Sequence, residues 1–122
     1  MALRDSMRES AAQYVRPGEP IQVVIGAQTA SQWLAALTGF LVFLGLNHYR
    51  ILAVTPSRIL VLDAGKTSMK RARGVVMELP RSTRLGSGTG LWHQIPAGRE
   101  NLRVHRRFFK DIEAADTAAV AA

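Results

Sequence analysis

Tyr49–Asp63 reads YRILAVT-PS-RILVLD. Two runs of aliphatic and β-branched residues, Tyr49–Thr55 and Arg58–Asp63, flank Pro56-Ser57. Proline presets the φ of a turn and serine suits the position after it, so the stretch predicts two strands joined by a tight turn. Upstream, Ile21–Ala27 is a further β-rich run. Downstream, Asp63–Gly74 (DAGKTSMKRARG) is a polar, basic loop. Val75, Met77 and Leu79 then alternate with Val76 and Glu78, the pattern of a half-buried strand ended by Pro80. Thr83–Leu85, Leu91–Ile95 and Asn101–Arg107 are three more candidate strands, punctuated by Gly86-Ser87-Gly88-Thr89-Gly90 and Pro96-Ala97-Gly98.

Both ends of the chain change period. Leu3, Met7, Ala11 and Tyr14 recur at helical spacing, so residues 2–15 predict a short amphipathic helix rather than a cleavable signal peptide. Pro17-Gly18-Glu19-Pro20 stops it. From Phe108 to Ala122, Phe109, Ile112, Ala115 and Ala119 form an apolar stripe opposite Asp111, Glu113 and Asp116, a closing helix whose early acids suit its N-terminal dipole. The expected fold is mainly β (α+β): a bent antiparallel sheet or partial barrel of seven strands, capped by the C-terminal helix. Residues 1–15 form the leading helix and 16–120 the domain.

The 122 residues suffice for one domain with a real core. The absence of cysteine excludes disulfides, thiolate catalysis and the usual zinc and iron–sulfur sites. The formal charge of +7 is concentrated. Residues 1–20 are neutral, 50–110 carry thirteen basic residues against Asp63, Glu78 and Glu100, and 111–122 are acidic. So basic a body attracts polyanions: anionic lipid, nucleic acid or an acidic partner.

Between the first two strands lies Trp33–Leu46, WLAALTGFLVFLGL, with no charge. As a helix it would be about 21 Å long, short of a hydrocarbon core of about 30 Å. Its large apolar side chains are worth roughly 1.5–3 kcal/mol each on burial, so something covers them. Three covers fit: a membrane, entered by a short tilted span or by a hairpin turning near Thr38-Gly39; an oligomer interface; or the protein's own core. Trp33 at one end, with His48, Tyr49 and Arg50 at the other, matches the residues that sit at membrane interfaces, and the basic C-terminal side would be cytoplasmic.

Pro17-Gly18-Glu19, the strand pair YRILAVT-PS-RILVLD and the terminal FFKDIEAAD together resemble the short bacterial pleckstrin-homology-like (PH-like, GRAM-like) proteins, chiefly an actinobacterial group. Arg50, Thr55 and Arg58 occupy the family's R-[apolar]3-T-x-x-R pattern across the second and third strands. The resemblance covers residues 15–118 and implies a binding module for lipid head groups or proteins rather than an enzyme. Lipid-binding members place basic residues between the first two strands, where this chain has its uncharged segment. That departure favours a segment that enters the bilayer or packs on a partner.

Other motifs are weaker. Gly65-Lys66-Thr67 resembles the end of a phosphate-binding P-loop, but Leu60 stands where its first glycine belongs and no helix follows. Gly86, Gly88 and Gly90 precede a strand rather than a helix and read as a hairpin turn. His48, His93 and His105 show no metal-ligand spacing, and acids are sparse. No catalytic residue, metal or cofactor is expected, and no small-molecule substrate.

The expected contacts are therefore of two kinds. Trp33, Leu34, Leu37, Phe40, Leu41, Phe43 and Leu44 meet a membrane or a partner. Arg50, Lys66, Lys70, Arg71, Arg73, Arg103 and Arg107 meet anions. Arg103 and Arg107 share one face of the last strand with His105, while Leu102 and Val104 face the other way. The function expected is a non-enzymatic module on the cytoplasmic membrane face (peripheral, monotopic or single-span), bound to anionic lipid. The alternative is an accessory subunit docking on a membrane protein complex or on a second copy of itself. Nucleic acid is the least favoured partner: Trp92, Phe108 and Phe109 are candidate stacking aromatics among the basic residues, but none sits in an RNA-binding motif.

Overall fold

The computed structural model describes residues 2–29, 39, 47–66, 68–86, 92–97 and 100–121. Helix α1 (Ala2–Ala11) runs into a 3-10 turn, Ala12–Tyr14. Six strands follow: β1 (Val23–Gln28), β2 (Tyr49–Val54), β3 (Arg58–Gly65), β4 (Gly74–Pro80), β5 (Trp92–Ala97) and β6 (Glu100–His105). A 3-10 turn, Arg106–Phe108, leads into helix α2 (Phe109–Ala121). All pairings are antiparallel, in the order β4-β3-β2-β1-β6-β5. Mainly antiparallel β with one helix at each end is the architecture expected.

One expected strand is absent. Thr83–Leu85 pairs with no neighbour, because its amides are used otherwise. The Thr83 amide bonds back to the Pro80 carbonyl at 3.0 Å, and the amides of Leu85 and Gly86 donate to the Asp116 carboxylate of α2 at 2.8 and 3.0 Å. An acidic side chain on the closing helix thus holds this connection and leaves six strands among the described residues. Its apolar residue is still used, since Leu85 is buried. The strand expected over Asn101–Arg107 is also shorter. It stops at His105, whose Nδ1 accepts the Arg107 amide at 3.1 Å and starts the 3-10 turn.

Strands β1, β2 and β3 are buried along almost their whole length, on both side-chain faces. That is why VVIGA, ILAV and ILVL read as continuous apolar runs and not as alternations. Strand β4, at the sheet's edge, is half-exposed. The two helices supply the cover. Met7 and Ala11 of α1 are fully buried with Leu3 and Tyr14 packed beside them, the stripe its spacing predicts. Phe108, Ile112 and Ala115 do the same for α2, with Phe109 partly buried. Arg4 ties the helices together, donating to Asp111 at 2.8 Å and to the Arg107 carbonyl at 2.6 Å. Phe108, a candidate stacking aromatic in the sequence, is the largest fully buried side chain among the described residues, with the Arg4 guanidinium 4.9 Å from its ring centroid.

The Phe108 ring reaches β1 because residue 26 is glycine. A Cβ there would stand 3.0 Å from two ring carbons of Phe108 and run into the Met69 sulfur. Met69 can swing aside; a ring locked in the core cannot. Gly26→Val is therefore expected to destabilise the fold by about 1–3 kcal/mol, the usual scale of core overpacking. A urea midpoint unchanged from the parent would contradict this packing.

Candidate functional site

The two ends of the sheet are chemically different. At one end, the β2–β3 turn meets the chain that leads in from α1. Glu19 accepts Arg58 Nε at 3.0 Å and Arg58 Nη2 at 2.9 Å, Thr55 Oγ1 at 2.8 Å, Ser57 Oγ at 2.9 Å and the Arg16 amide at 2.9 Å. The side chains of Glu19 and Arg58 are only 8% and 12% exposed. Arg58 also donates to Glu78 at 3.1 Å. These bonds, the Arg58 fork first, hold the Glu19 carboxyl far below the usual carboxylate range against the opposing effect of burial, while Glu19 raises the already high Arg58. Two sequence features noted separately, Pro17-Gly18-Glu19 and Thr55-x-x-Arg58, are thus halves of one ion-pair knot. It is saturated and structural.

The opposite end is where the chain departs after β1 and comes back into β2. The Thr29 amide donates to the His48 carbonyl at 2.9 Å, and the His48 amide donates to Thr29 Oγ1 at 3.0 Å. Gln28 faces Tyr49 in the next register position. The chain therefore leaves and returns at a single point of the sheet. The β3–β4 loop opens at the same end, since Gly65 pairs with Tyr49 and Gly74 with Asp63. Strand β6 joins there too, with Arg103 opposite Gln28.

The structure divides the seven expected anion contacts into three groups. Arg50, Arg73 and Arg103 stand at the departure point, with Lys66 one residue beyond Gly65. Arg50 is only 8% exposed and pairs with Asp63 at 2.8 Å, so its charge already has a carboxylate partner. Asp63 also accepts the Gly65 amide on its carboxylate at 3.0 Å and the Arg73 amide on its carbonyl at 2.6 Å. The Arg73 guanidinium lies over Gly65, where a Cβ would meet its Nε at 3.0 Å. Arg103 donates to the Thr29 carbonyl at 2.8 Å and so braces the departing chain. Lys70 and Arg71 form the second group, both exposed on the loop beside α1. Arg107 is the third; it is exposed, with its guanidinium 5.8 Å from the Phe108 centroid, and lies on the 3-10 turn rather than on the strand with Arg103.

Trp33, Leu34, Leu37, Phe40, Leu41, Phe43 and Leu44 lie outside the described residues, as does most of the Gly86–Gly90 turn. Gly39 is described: it is exposed and has φ 101°, a conformation that interrupts any helix and suits a glycine. Among the described residues no helix is long and apolar enough to cross a membrane, and no cluster of three or more His, Asp or Glu could hold a metal ion.

His105 holds the start of the last turn only while its Nδ1 is unprotonated. Burial first, and then the charges of Arg107 and Arg106, lower its pKa from the ordinary imidazole range. A lowered pKa means that the unfolded chain binds the proton more readily. Its contribution to stability is thus complete above about pH 6.5, the unfolded value, and is lost as pH falls below it. His105→Asn keeps a capping acceptor without the titration. Thermal melts between pH 5 and 8 should show a shallower slope in this variant; an unchanged slope would contradict the role.

The chain matches no protein-family model, and neither the curated proteins nor the solved structures contain a significant match to it.

Proposed function

We propose that this chain is a non-enzymatic, PH-like binding module that attaches to the cytoplasmic face of a membrane by its apolar segment 33–46 and a basic rim. The observation that carries this reading is the geometry of departure. Thr29 and His48 are hydrogen-bonded to each other, and the run sent out between them has no charge. Lys66, Arg73 and Arg103 stand around that point. The PH-like assignment draws support from the knot of Glu19, Thr55 and Arg58, and from a sheet closed by a terminal helix.

The same geometry favours one way of entering a membrane over a single crossing. A single crossing would separate Thr29 from His48 by a hydrocarbon core of about 30 Å. Residues joined by two hydrogen bonds stand on the same side, which supports a segment that enters and returns as a hairpin. Gly39, with φ 101°, is the natural turn. Each basic side chain near an anionic leaflet adds about 1 kcal/mol, and this supplements apolar insertion as the second of the two signals that stable attachment needs.

Flotation of the purified chain with liposomes tests the reading. Co-flotation with neutral and anionic vesicles that survives high salt is expected. Flotation only with anionic vesicles at low salt would leave the basic rim acting alone. No flotation in either would overturn the membrane reading and point to a protein, either a membrane complex or a second copy, as the cover of segment 33–46.

A further inference from the structure

Helix α1 has a second stripe. Ser6, Glu9, Ser10 and Gln13 recur at helical spacing beside the buried stripe of Met7 and Ala11, and they line a cleft of about 490 Å3 whose other wall is Lys70 and Arg71. The volume is in the range of small-molecule sites. The cleft is built rather than incidental. Ser10 Oγ receives the Ala72 amide at 2.8 Å and reaches the carbonyls of Met7 at 3.1 Å and Lys70 at 3.3 Å, which pins the loop backbone on both sides of Arg71 to the helix. Gln13 Nε2 donates to the Ser10 carbonyl at 3.0 Å, leaving its amide oxygen to face outward from that bond.

The charges of this cleft are uncommitted. Arg4, Arg50 and Arg58 each have a carboxylate, in Asp111, Asp63 and Glu19 with Glu78. Lys70, Arg71 and Glu9 take part in no ion pair among the described residues, although all three line the same space. Two adjacent cations on a fixed loop call for a compact anion. A bare anion would also meet Glu9, so the better ligand presents a hydrogen-bond donor to the helix wall, where the Glu9 carboxylate and the Ser6 hydroxyl can accept it.

We propose that the cleft between α1 and the β3–β4 loop binds a phosphate ester that also carries a hydroxyl or ammonium donor, with the phosphate on Lys70 and Arg71 and the donor on Glu9 and Ser6. This site is separate from the apolar segment, and it stands whether or not that segment enters a membrane. The chemistry is common to phospholipid head groups and to free phosphorylated polyols or amino alcohols.

The test uses the full chain in a maltoside detergent, titrated with glycerol 3-phosphate, phosphoethanolamine or inorganic phosphate and followed by backbone amide NMR. Shifts confined to Ser6, Glu9, Ser10, Gln13, Lys70 and Arg71 are expected, with both esters preferred to inorganic phosphate. Lys70→Ala with Arg71→Ala should weaken the esters at least tenfold. Glu9→Gln should abolish the preference and leave inorganic phosphate unweakened. All the altered side chains are exposed or line the cleft, so melting temperatures should be unchanged. A parallel arm presents the same head groups on vesicles of phosphatidylglycerol or phosphatidylethanolamine, spun down with the chain carrying Leu41→Asp and Phe43→Asp to remove apolar insertion. Saturation by the free esters assigns a soluble ligand. Binding only to vesicles, lost in the Lys70 and Arg71 variant, assigns a lipid head group. Equal weak binding of all anions, spread over the basic surface and indifferent to Glu9→Gln, overturns the proposal, as does no binding in either arm.

Discussion

Leu41→Asp combined with Phe43→Asp is expected to release the folded protein from membranes. Both residues follow Gly39, whose φ is 101°. Near the middle of a bilayer, leucine or phenylalanine contributes about −0.3 to −0.6 kcal/mol and aspartate costs about 2.5–3.5 kcal/mol. Two replacements therefore shift insertion by about 6 kcal/mol, on the order of 10⁴ in partitioning. The fold is expected to survive, because Ile25, Leu52, Val61, Leu102, Phe108 and Ile112 belong to one buried cluster of strand and helix residues outside this segment. Flotation should be lost while circular dichroism and melting temperature stay near the parent values. A variant that floats as before would contradict insertion. A variant that unfolds would place the segment in the protein's own core.

A second large effect is expected at the other end of the sheet. Glu19→Ala should cost about 3–5 kcal/mol, because it leaves Arg58, 12% exposed, without its main counter-charge. Only Glu78, itself half-exposed, would remain to it. The hydroxyls of Thr55 and Ser57 and the Arg16 amide would lose an acceptor at the same time. Replacing both partners with apolar residues, Glu19→Leu with Arg58→Met, should be less damaging than Glu19→Ala alone, since no buried charge is stranded. Urea denaturation of the three variants and the parent measures this. A double variant less stable than Glu19→Ala would contradict the desolvation argument. The knot also sets an acid limb. Because the Glu19 carboxyl titrates far below its unfolded value of about 4.3, its contribution is complete above that pH and falls away as pH drops through and below it. Glu19→Gln should flatten this limb of the stability profile.

The sheet's centre was legible in the sequence because its signals are local. Pro56-Ser57 between two aliphatic runs requires a turn, and the helical spacing of Met7 with Ala11 and of Ile112 with Ala115 requires two buried stripes. The misread elements depend on partners distant in sequence. Thr83–Leu85 has strand-like residues, but whether its amides pair with a strand or with Asp116 is decided by where α2 lands. The burial of Phe108 likewise depends on Gly26, far away in the sequence, which makes room for its ring.

The candidate site was legible in composition and opaque in arrangement. Basic residues could be counted, yet no local pattern distinguishes Arg50, paired with Asp63, from Lys70 and Arg71, which keep no carboxylate. That a 30–46 excursion leaves and returns at one point follows only from strand register, through Thr29 and His48. The polar stripe of α1 went unread in the sequence, because its meaning requires the loop that faces it.

Insertion from one side is tested most directly by the fluorescence of Trp33 in a Trp92→Phe variant, which leaves it as the chain's single tryptophan. The variant is mixed with vesicles whose acyl chains are brominated either near the head group or deep in the bilayer. The account predicts a blue-shifted emission quenched by bromine, more strongly by the shallow label than by the deep one, as befits an indole at the foot of an inserted hairpin. Emission at the same wavelength with and without vesicles, unquenched by either label, would contradict it.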